Sequence, residues 1–311
     1  MVKRIIQITL LLILLFIIFF MYLSIYGIST NKFNNLISEK ISEKDKNLEI
    51  NLKEIKIFLN INNFNFELKT NNPKVFFKNK EIKIESISTN LPLRNFFSKK
   101  MNLKEVKILT QKNKIQNLIV FIRAYKDNPQ LFILNKIVKD GFIDIETKIS
   151  FNKDGSIKSN YLIDGNIEDL KIELIDNNIV ENINLSFLIR ENEYLLYNLS
   201  SLYQSIKIKS NQIKIIDNQN SYNFEGDISN QKSEINLNKF TLFSNNNIKS
   251  IFNEELTIST NNKFSFKLSK KLKFSDINFQ SKLALEKLKY SNDIFKRFFP
   301  GYKKDIKFEN N

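Results

Sequence analysis

The sequence has no cysteine, histidine or tryptophan, and only 6 glycines and 4 prolines in 311 residues. Without cysteine the chain has no disulfide and no thiolate chemistry, and without histidine it has neither a Cys/His zinc site nor an imidazole base. No stretch matches a glycine-rich phosphate loop, and the carboxylates are scattered singly along predicted strands. We therefore expect no enzyme activity, no catalytic residue, no metal site and no cofactor.

The charge is strongly positive, with 48 Lys and Arg against 33 Asp and Glu and a net charge of +15. Ile, Asn, Lys and Phe dominate while Ala, Gly and Pro are scarce, which is the bias that an AT-rich genome produces. Lysines alternate with glutamates, as at Lys53, Glu54 and Lys56, which indicates a solvated strand face and not a track for phosphates. We expect no nucleic-acid partner.

The N-terminal segment is long enough to cross a membrane. Residues 1–4 form a short stub, and residues 5–28 carry no charge, whereas about 20 apolar residues suffice to span a bilayer. Lys3 and Arg4 precede the segment, so the positive-inside rule predicts a cytoplasmic N-terminus and places the rest of the chain outside. A cleaved signal peptide is the alternative, but its apolar region is shorter and ends at a small-x-small site. We predict a retained signal anchor.

Residues 29–47 are predicted to form a short amphipathic helix or linker, because Phe33, Leu36, Ile37 and Ile41 recur at helical spacing. From residue 48 to residue 311 the apolar period changes to two. The alternating positions are Ile55/Ile57/Leu59/Ile61, Phe64/Phe66/Leu68, Ile82/Ile84, Val106/Ile108, Ile143/Ile145, Ile183/Leu185/Phe187/Ile189, Ile206/Ile208, Ile213/Ile215, Ile235/Leu237, Phe264/Phe266/Leu268 and Leu283/Leu285.

This period places one face of each strand in apolar surroundings and the other in water, which is typical of antiparallel sheets. Asp154-Gly155 is a hairpin signal, and Asp164-Gly165 is expected to separate two further strands. Pro73, Pro92 and Pro129 are expected in connections. Short helices are predicted at 117–125, 131–138 and 293–299. The body is therefore predicted to be mainly β, with a mostly antiparallel sheet and a few short helices.

Three stretches carry a family resemblance. The first combines LEINLKEIKI at 48–57, FFKNKEIKI at 76–84 and LPLRNFF at 91–97, followed by a strand at 103–109. The others are DGFIDI at 140–145 with YLIDGNI at 161–167, and NFEGDI at 223–228. With the anchor and short helix in front, they resemble the AsmA-like family of bacterial envelope proteins, which includes TamB-like and YhdP-like members and is related to bridge-like lipid-transfer proteins.

The resemblance implies a curved sheet that forms an elongated groove, the β-taco, in the periplasmic part at 48–311. It implies a single-pass inner-membrane protein, anchored through residues 5–28, whose groove shields phospholipid acyl chains and assists phospholipid transport or outer-membrane maintenance. The lining residues expected on the apolar strand faces are Ile55, Ile57, Leu59, Phe64, Phe66, Ile143, Ile145, Ile183, Leu185, Phe187 and Ile189.

The alternating pattern by itself leaves a second interpretation open. An apolar stripe of period two is also the core of an ordinary sandwich, and then the chain is an anchored envelope scaffold or assembly factor with a closed β-core and no lipid cargo. Residues 305–308 begin a further strand three residues before the end of the sequence. We expect either an incomplete C-terminus or an envelope protein partner at this C-terminal edge.

The orientation set by Lys3 and Arg4 predicts the outcome of a reporter fusion. A reporter that matures only in the periplasm, fused after Asn311, is expected to be active in cells, because the anchor exports everything that follows it. A reporter that works only in the cytoplasm, fused at the same point, is expected to be silent. The reverse pair of results would overturn the orientation.

Overall fold

The computed structural model describes residues 2–31, 34–35, 38–39, 43, 46–77, 80–92, 104–125, 128–152, 156, 158–174, 178–235 and 256–286. It divides into two compact units. The first comprises residues 1–131 and 143–165, and the second comprises residues 132–142 and 166–311.

The chain begins with an apolar helix and continues mostly as strands. In chain order the elements are α1 (Val2–Ile25), β1 (Ile28–Thr30), β2 (Leu48–Asn51), β3 (Ile55–Asn60), β4 (Asn65–Asn71), β5 (Lys74–Phe77), β6 (Lys80–Pro92), β7 (Glu105–Thr110), β8 (Asn113–Lys114), α2 (Ile115–Tyr125), α3 (Pro129–Ile137), β9 (Val138–Ser150), β10 (Leu162–Glu173), β11 (Ile179–Arg190), β12 (Glu193–Tyr203), β13 (Ile206–Asn218), β14 (Ser221–Ile235), β15 (Leu256–Ser269) and β16 (Phe274–Glu286).

The described strands belong to one sheet, in the order β1-β3-β4-β6-β7-β9-β10-β11-β12-β13-β14-β15-β16, with β2 and β5 pairing beside β6 and β8 beside β9. Every strand pair whose register is resolved is antiparallel, and no described pairing joins β1 to β16, so the sheet is unclosed. The prediction of a mainly β chain, built on an antiparallel sheet and preceded by an apolar helix, is confirmed.

Register explains why the alternating residues of the first unit share one face. Ile57 pairs with Leu68, which pairs in turn with Thr89. Thr89 is opposite Val106, and Val106 is opposite Ile149. Directly opposed residues point to the same side of a sheet, so these side chains form one continuous row across five strands.

Part of this apolar face is covered by the chain itself. Val75 of β5 and Ile82 and Ile84 of β6 are buried together, and Phe121 of α2 packs against them. The ring of Phe121 lies edge-on to that of Phe77, with centroids 5.1 Å apart. α2 and the small β2-β5-β6 sheet therefore provide the first unit with a core of its own.

The N-terminal helix ends at Ile25 and is followed by Gly27, which has a φ of +67° and lies where a left-handed residue closes helices. A Cβ on Gly27 would lie 2.8 Å from the Ile57 carbonyl oxygen, so only glycine fits there. The helix covers Val2–Ile25, and β1 at Ile28–Thr30 pairs at once with β3. The helix thus begins and ends earlier than the anchor predicted at 5–28, and residues 28–30, expected in the anchor and linker, are sheet.

Several sequence-based predictions changed or lie outside the described residues. β12 was not predicted, the two strands expected around Ile208 and Ile213 are one strand, and Asp164-Gly165 lies within β10. Pro92 ends β6 and Pro129 begins α3, so neither is in an open connection.

The bounds of α2 and α3 lie within two residues of the helices predicted at 117–125 and 131–138. Within the predicted 29–47 helix, residues 34–35, 38–39 and 43 are helical, whereas Phe33, Leu36, Ile37 and Ile41 lie outside the described part. Asp154-Gly155, the helix at 293–299 and the strand at 305–308 are also outside it.

Gly226 determines how closely β13 and β14 approach each other. It pairs with Ile213, and a Cβ on Gly226 would lie 2.9 Å from the Gln212 carbonyl oxygen and 3.1 Å from the Ile213 Cα. Both atoms are backbone, so they cannot rotate away. Glycine in a strand interior often marks such a close backbone approach.

Gly226→Ala is therefore expected to destabilise the protein by about 1–3 kcal/mol, since overpacking forces backbone shifts. The measurement is urea unfolding of the full chain in detergent, followed by circular dichroism. Ser265→Ala on the facing strand is the control, with an expected change within about 0.5 kcal/mol. Equal stabilities of the two variants would show that the strands beside Gly226 can move apart with no loss in the free energy of unfolding.

Candidate functional site

The second unit carries two long apolar rows on one face of its sheet. Each row follows directly paired residues from β11 toward β16. The first row is Phe187, Leu196, Ile213, Gly226, Phe264 and Phe279. The second row is Ile189, Tyr194, Ile215, Phe224 and Phe266.

Aromatic contacts continue the rows toward the end of the sheet. The rings of Phe224 and Phe266 are stacked with centroids 4.6 Å apart, and Phe266 contacts Phe274 at 5.4 Å. Phe264 lies 5.8 Å from Phe266, measured between centroids. Offset and tilted ring pairs of this kind are favourable beyond the area that they bury. β14, β15 and β16 therefore present a surface of packed rings.

This face is only partly buried. Leu196, Ile213 and Phe224 keep partial solvent exposure, and Phe279 at the end of its row is 62% exposed. In a two-sheet sandwich both inner faces are buried against each other. We define the two rows of the second unit as the apolar face, and it is the candidate site for an apolar ligand.

The predicted lining residues of the first unit are placed differently. Ile55, Leu59 and Ile143 are buried, while Ile57 is partly buried. Phe66 pairs with Leu59 on the same face and with Leu91 on the other side, and Leu91 is 0% exposed. Ile145 lies two residues after Ile143 on β9, so both side chains are on the same face. Phe66 and Ile145, like Ile57, keep partial solvent exposure, so this part of the face is covered only in part.

The four predicted positions on β11 lie in the second unit. Phe187 and Ile189 begin the two rows, whereas Ile183 and Leu185 lie further along the strand, beyond a register shift. The shift follows Asn182, whose φ of +52° marks the irregular position. Bulges of this kind bend a strand and redirect its side chains. The structure thus joins only two of the four to the rows.

Phe64 corrects the prediction that it lines the sheet. It lies in the turn between β3 and β4, with a φ of +47° and 69% of its surface exposed. Ile61, predicted in the preceding strand, is in the same turn. The alternation that includes Phe64 is real in sequence, but the hairpin turn falls inside it.

Most residues of the two rows are not predicted as site residues from the sequence. Tyr194 and Leu196 belong to the EYLLYNLSSLY stretch at 193–203, whose near-continuous apolar residues hide the period of two. Ile213, Phe264 and Phe266 are predicted as strand positions but not as site residues. Their cross-strand register, which follows from the bulges, is what brings them together.

On β13 to β16 the opposite face is mostly polar. The ammonium nitrogen of Lys214 lies 2.7 Å from a carboxylate oxygen of Glu193, and the hydrogen bond that it donates lowers the pKa of that carboxyl. The ammonium nitrogen of Lys267 lies 2.7 Å from a carboxylate oxygen of Asp276. A recess of about 480 Å³ opens on this side, lined by Gln212, Lys214, Glu225, Gly226, Asp227, Lys263, Phe264, Ser265, Asn278 and Gln280. The two faces of one sheet therefore differ sharply in chemistry.

Lys270 holds the turn after β15 against the ends of two other strands. Its ammonium donates to both carboxylate oxygens of Asp217, at 2.7 and 2.8 Å. It also lies 3.6 Å from the centre of the Tyr222 ring. Burial lowers the pKa of Lys270, but the hydrogen bonds and charges of Asp217 and Tyr222 outweigh it, so the pKa is raised.

Comparison with protein-family models, with curated proteins and with solved structures finds no match to this chain. Within the described residues, no group of three or more His, Cys, Asp or Glu residues is placed to hold a metal ion. The candidate site therefore depends on the geometry of the apolar face alone.

Lys270→Met is expected to lower stability by roughly 1 kcal/mol at neutral pH, because it removes a partly exposed ion pair and a cation–π contact. Since the pKa is raised on folding, this contribution is complete below about pH 10.4 and is lost as the pH rises through the folded-state value. Unfolding in urea at a series of pH values measures the difference from wild type. Lys271→Met is the matched control, and a difference that persists unchanged at high pH would contradict the assignment.

Proposed function

We propose that this chain is a membrane-anchored, AsmA-like protein whose second unit shields phospholipid acyl chains on its apolar face. The observation that carries the proposal is the pair of apolar rows from Phe187 to Phe279 and from Ile189 to Phe266, partly open to solvent. Large exposed apolar patches on soluble domains are typical of ligand or membrane contact.

The dimensions and energies of the face suit an acyl chain. Strands are spaced by about 4.8 Å, so a row from β11 to β16 extends roughly 24 Å. A tail occupies half of a bilayer core of about 30 Å, or about 15 Å. Each buried CH₂ contributes about 0.8 kcal/mol, so a tail lying along a row avoids on the order of 10 kcal/mol of exposure to water. The head group remains at the wet rim.

The membrane location rests on α1. The helix is long and apolar enough to cross a membrane, with a mean hydropathy of 2.9 over its most apolar stretch. With Lys3 and Arg4 on the cytoplasmic side, the sheet lies in the periplasm of a bacterial cell and the anchor in its inner membrane. Because β1 begins three residues after α1 ends, the first strands start at the membrane. This arrangement favours passage of lipid out of the bilayer and supports a role in phospholipid transport or outer-membrane maintenance.

A second function is favoured by the first unit. There, Leu91 is fully buried, and Val75, Ile82 and Ile84 form a core with Phe121. A sheet whose apolar face is filled by its own side chains is a scaffold without cargo. In that case the C-terminal edge of the sheet, which among the described strands is β16, would hold an envelope protein partner by strand addition.

Photo-crosslinking discriminates between the two functions. A benzophenone amino acid at Phe224 or Phe264 is expected to capture phospholipid in living cells, because these side chains belong to the apolar face. The same probe at Glu225 or Ser265, the next residues on the same strands, is the control. The neighbouring residue points to the polar face, so it is expected to capture little or none.

Mass spectrometry of the purified adducts identifies what each position contacts. Lipid adducts confined to positions 224 and 264 support the acyl-chain function. Equal capture on both faces, or protein adducts alone at all four positions, would refute it and leave the anchored scaffold.

A further inference from the structure

The turn between β3 and β4 exposes two large apolar side chains. Ile61 is 44% exposed and Phe64 is 69% exposed. The turn is closed at its start, where the Asn63 N–H donates to the Asn60 side-chain oxygen at 3.3 Å. Phe64 has a φ of +47°, which is a genuine outlier for a bulky side chain. The backbone thus holds a phenyl ring outward, away from the sheet.

The turn lies beside the C-terminal end of α1. Ile28 of β1 pairs with Ile57, so β3 runs antiparallel to β1 and back toward the helix. A recess of about 600 Å³ is lined by Ser24 and Ile25 of α1 and by residues 58–62, together with Glu67 and Lys69. The first residues of the turn therefore share a recess with the last residues of the helix.

This end of α1 has the features of a membrane interface. Tyr22 and Tyr26 are exposed, and their rings lie 5.2 Å apart. Tyrosines are enriched at the level of lipid head groups. The 24 residues of α1 give a length of about 36 Å at 1.5 Å per residue, slightly more than the bilayer core. Tyr22 and Tyr26 thus mark the depth at which the helix leaves the membrane.

We propose that the β3–β4 turn inserts Ile61 and Phe64 into the leaflet where α1 ends, as a second membrane contact. The inference rests on the proposed anchor, because it requires α1 to span the bilayer. The turn and the helix together would fix the first strands at the membrane surface, whereas a helix alone leaves them free to rotate about its axis. The partner is a lipid surface, since the apolar tips lie at the end of α1 that carries the tyrosines, and Lys69 lines the shared recess, as suits the head-group boundary.

The absence of tryptophan from the sequence makes each introduced tryptophan a unique probe of depth. Phe64→Trp, Ile61→Trp, Tyr22→Trp and Glu54→Trp are each reconstituted, as the full chain, into vesicles of phosphatidylcholine and phosphatidylglycerol. A series with bromines at shallow acyl positions is compared with unbrominated vesicles. Bromine quenches tryptophan only on close approach, so the loss of fluorescence reports insertion.

We expect at least a twofold loss of fluorescence for Phe64→Trp, Ile61→Trp and Tyr22→Trp. Glu54→Trp is the control, because residue 54 precedes β3 at the end of the strand remote from the turn, roughly 20 Å away at about 3.3 Å per residue. Its fluorescence is expected to change little. Circular dichroism confirms that each variant retains the sheet, and Ile61→Trp provides the test if Phe64→Trp does not fold.

The outcomes separate this inference from the anchor on which it rests. Quenching of Tyr22→Trp without quenching of either turn variant would overturn the inference and leave the anchor in place. Equal quenching at Glu54→Trp would also overturn it, since the contact would not be specific to the turn. No quenching at Tyr22→Trp would refute both the anchor and the second contact.

Discussion

An antiparallel sheet with one apolar face is stable only if that face is removed from water, and this requirement governs the whole chain. The first unit meets it in part with its own residues, since β2 and α2 pack against the buried Val75, Ile82 and Ile84, while the row from Ile57 to Ile149 stays partly exposed. The second unit leaves its apolar face partly exposed. The ligand that we propose, a lipid acyl chain, would cover such a surface without requiring hydrogen bonds.

The two faces of the second unit differ in their chemistry. The polar face carries ion pairs such as Lys214–Glu193 and Lys267–Asp276, which keep it wetted and soluble. The apolar face carries no charge along its rows. Gly226 lets β13 and β14 approach closely, so the rows continue from β11 toward β16. α1, which is long and apolar enough to span a membrane, is closed by Gly27 and joined at once to β1.

The alternation of apolar residues predicts the strands because successive side chains of a strand point to opposite faces, so the pattern shows which residues face water. It could not locate the turn that contains Phe64, since apolar residues in that turn continue the pattern of the two strands on either side. It also could not reveal β12, whose residues 193–203 are apolar on both faces. The rows depend on register and bulges, such as that near Asn182, which a single sequence does not encode visibly.

The most direct test of the central claim is the amount of phospholipid that remains bound to the purified chain. Ile213→Glu combined with Phe264→Glu places charges on the apolar face, and Lys214→Glu combined with Ser265→Glu places them on the polar face of the same strands. Lipid held by α1 is common to all samples, so the comparison isolates the sheet. The account predicts that only the apolar-face variant loses lipid relative to wild type. Equal lipid in wild type and both variants would contradict it.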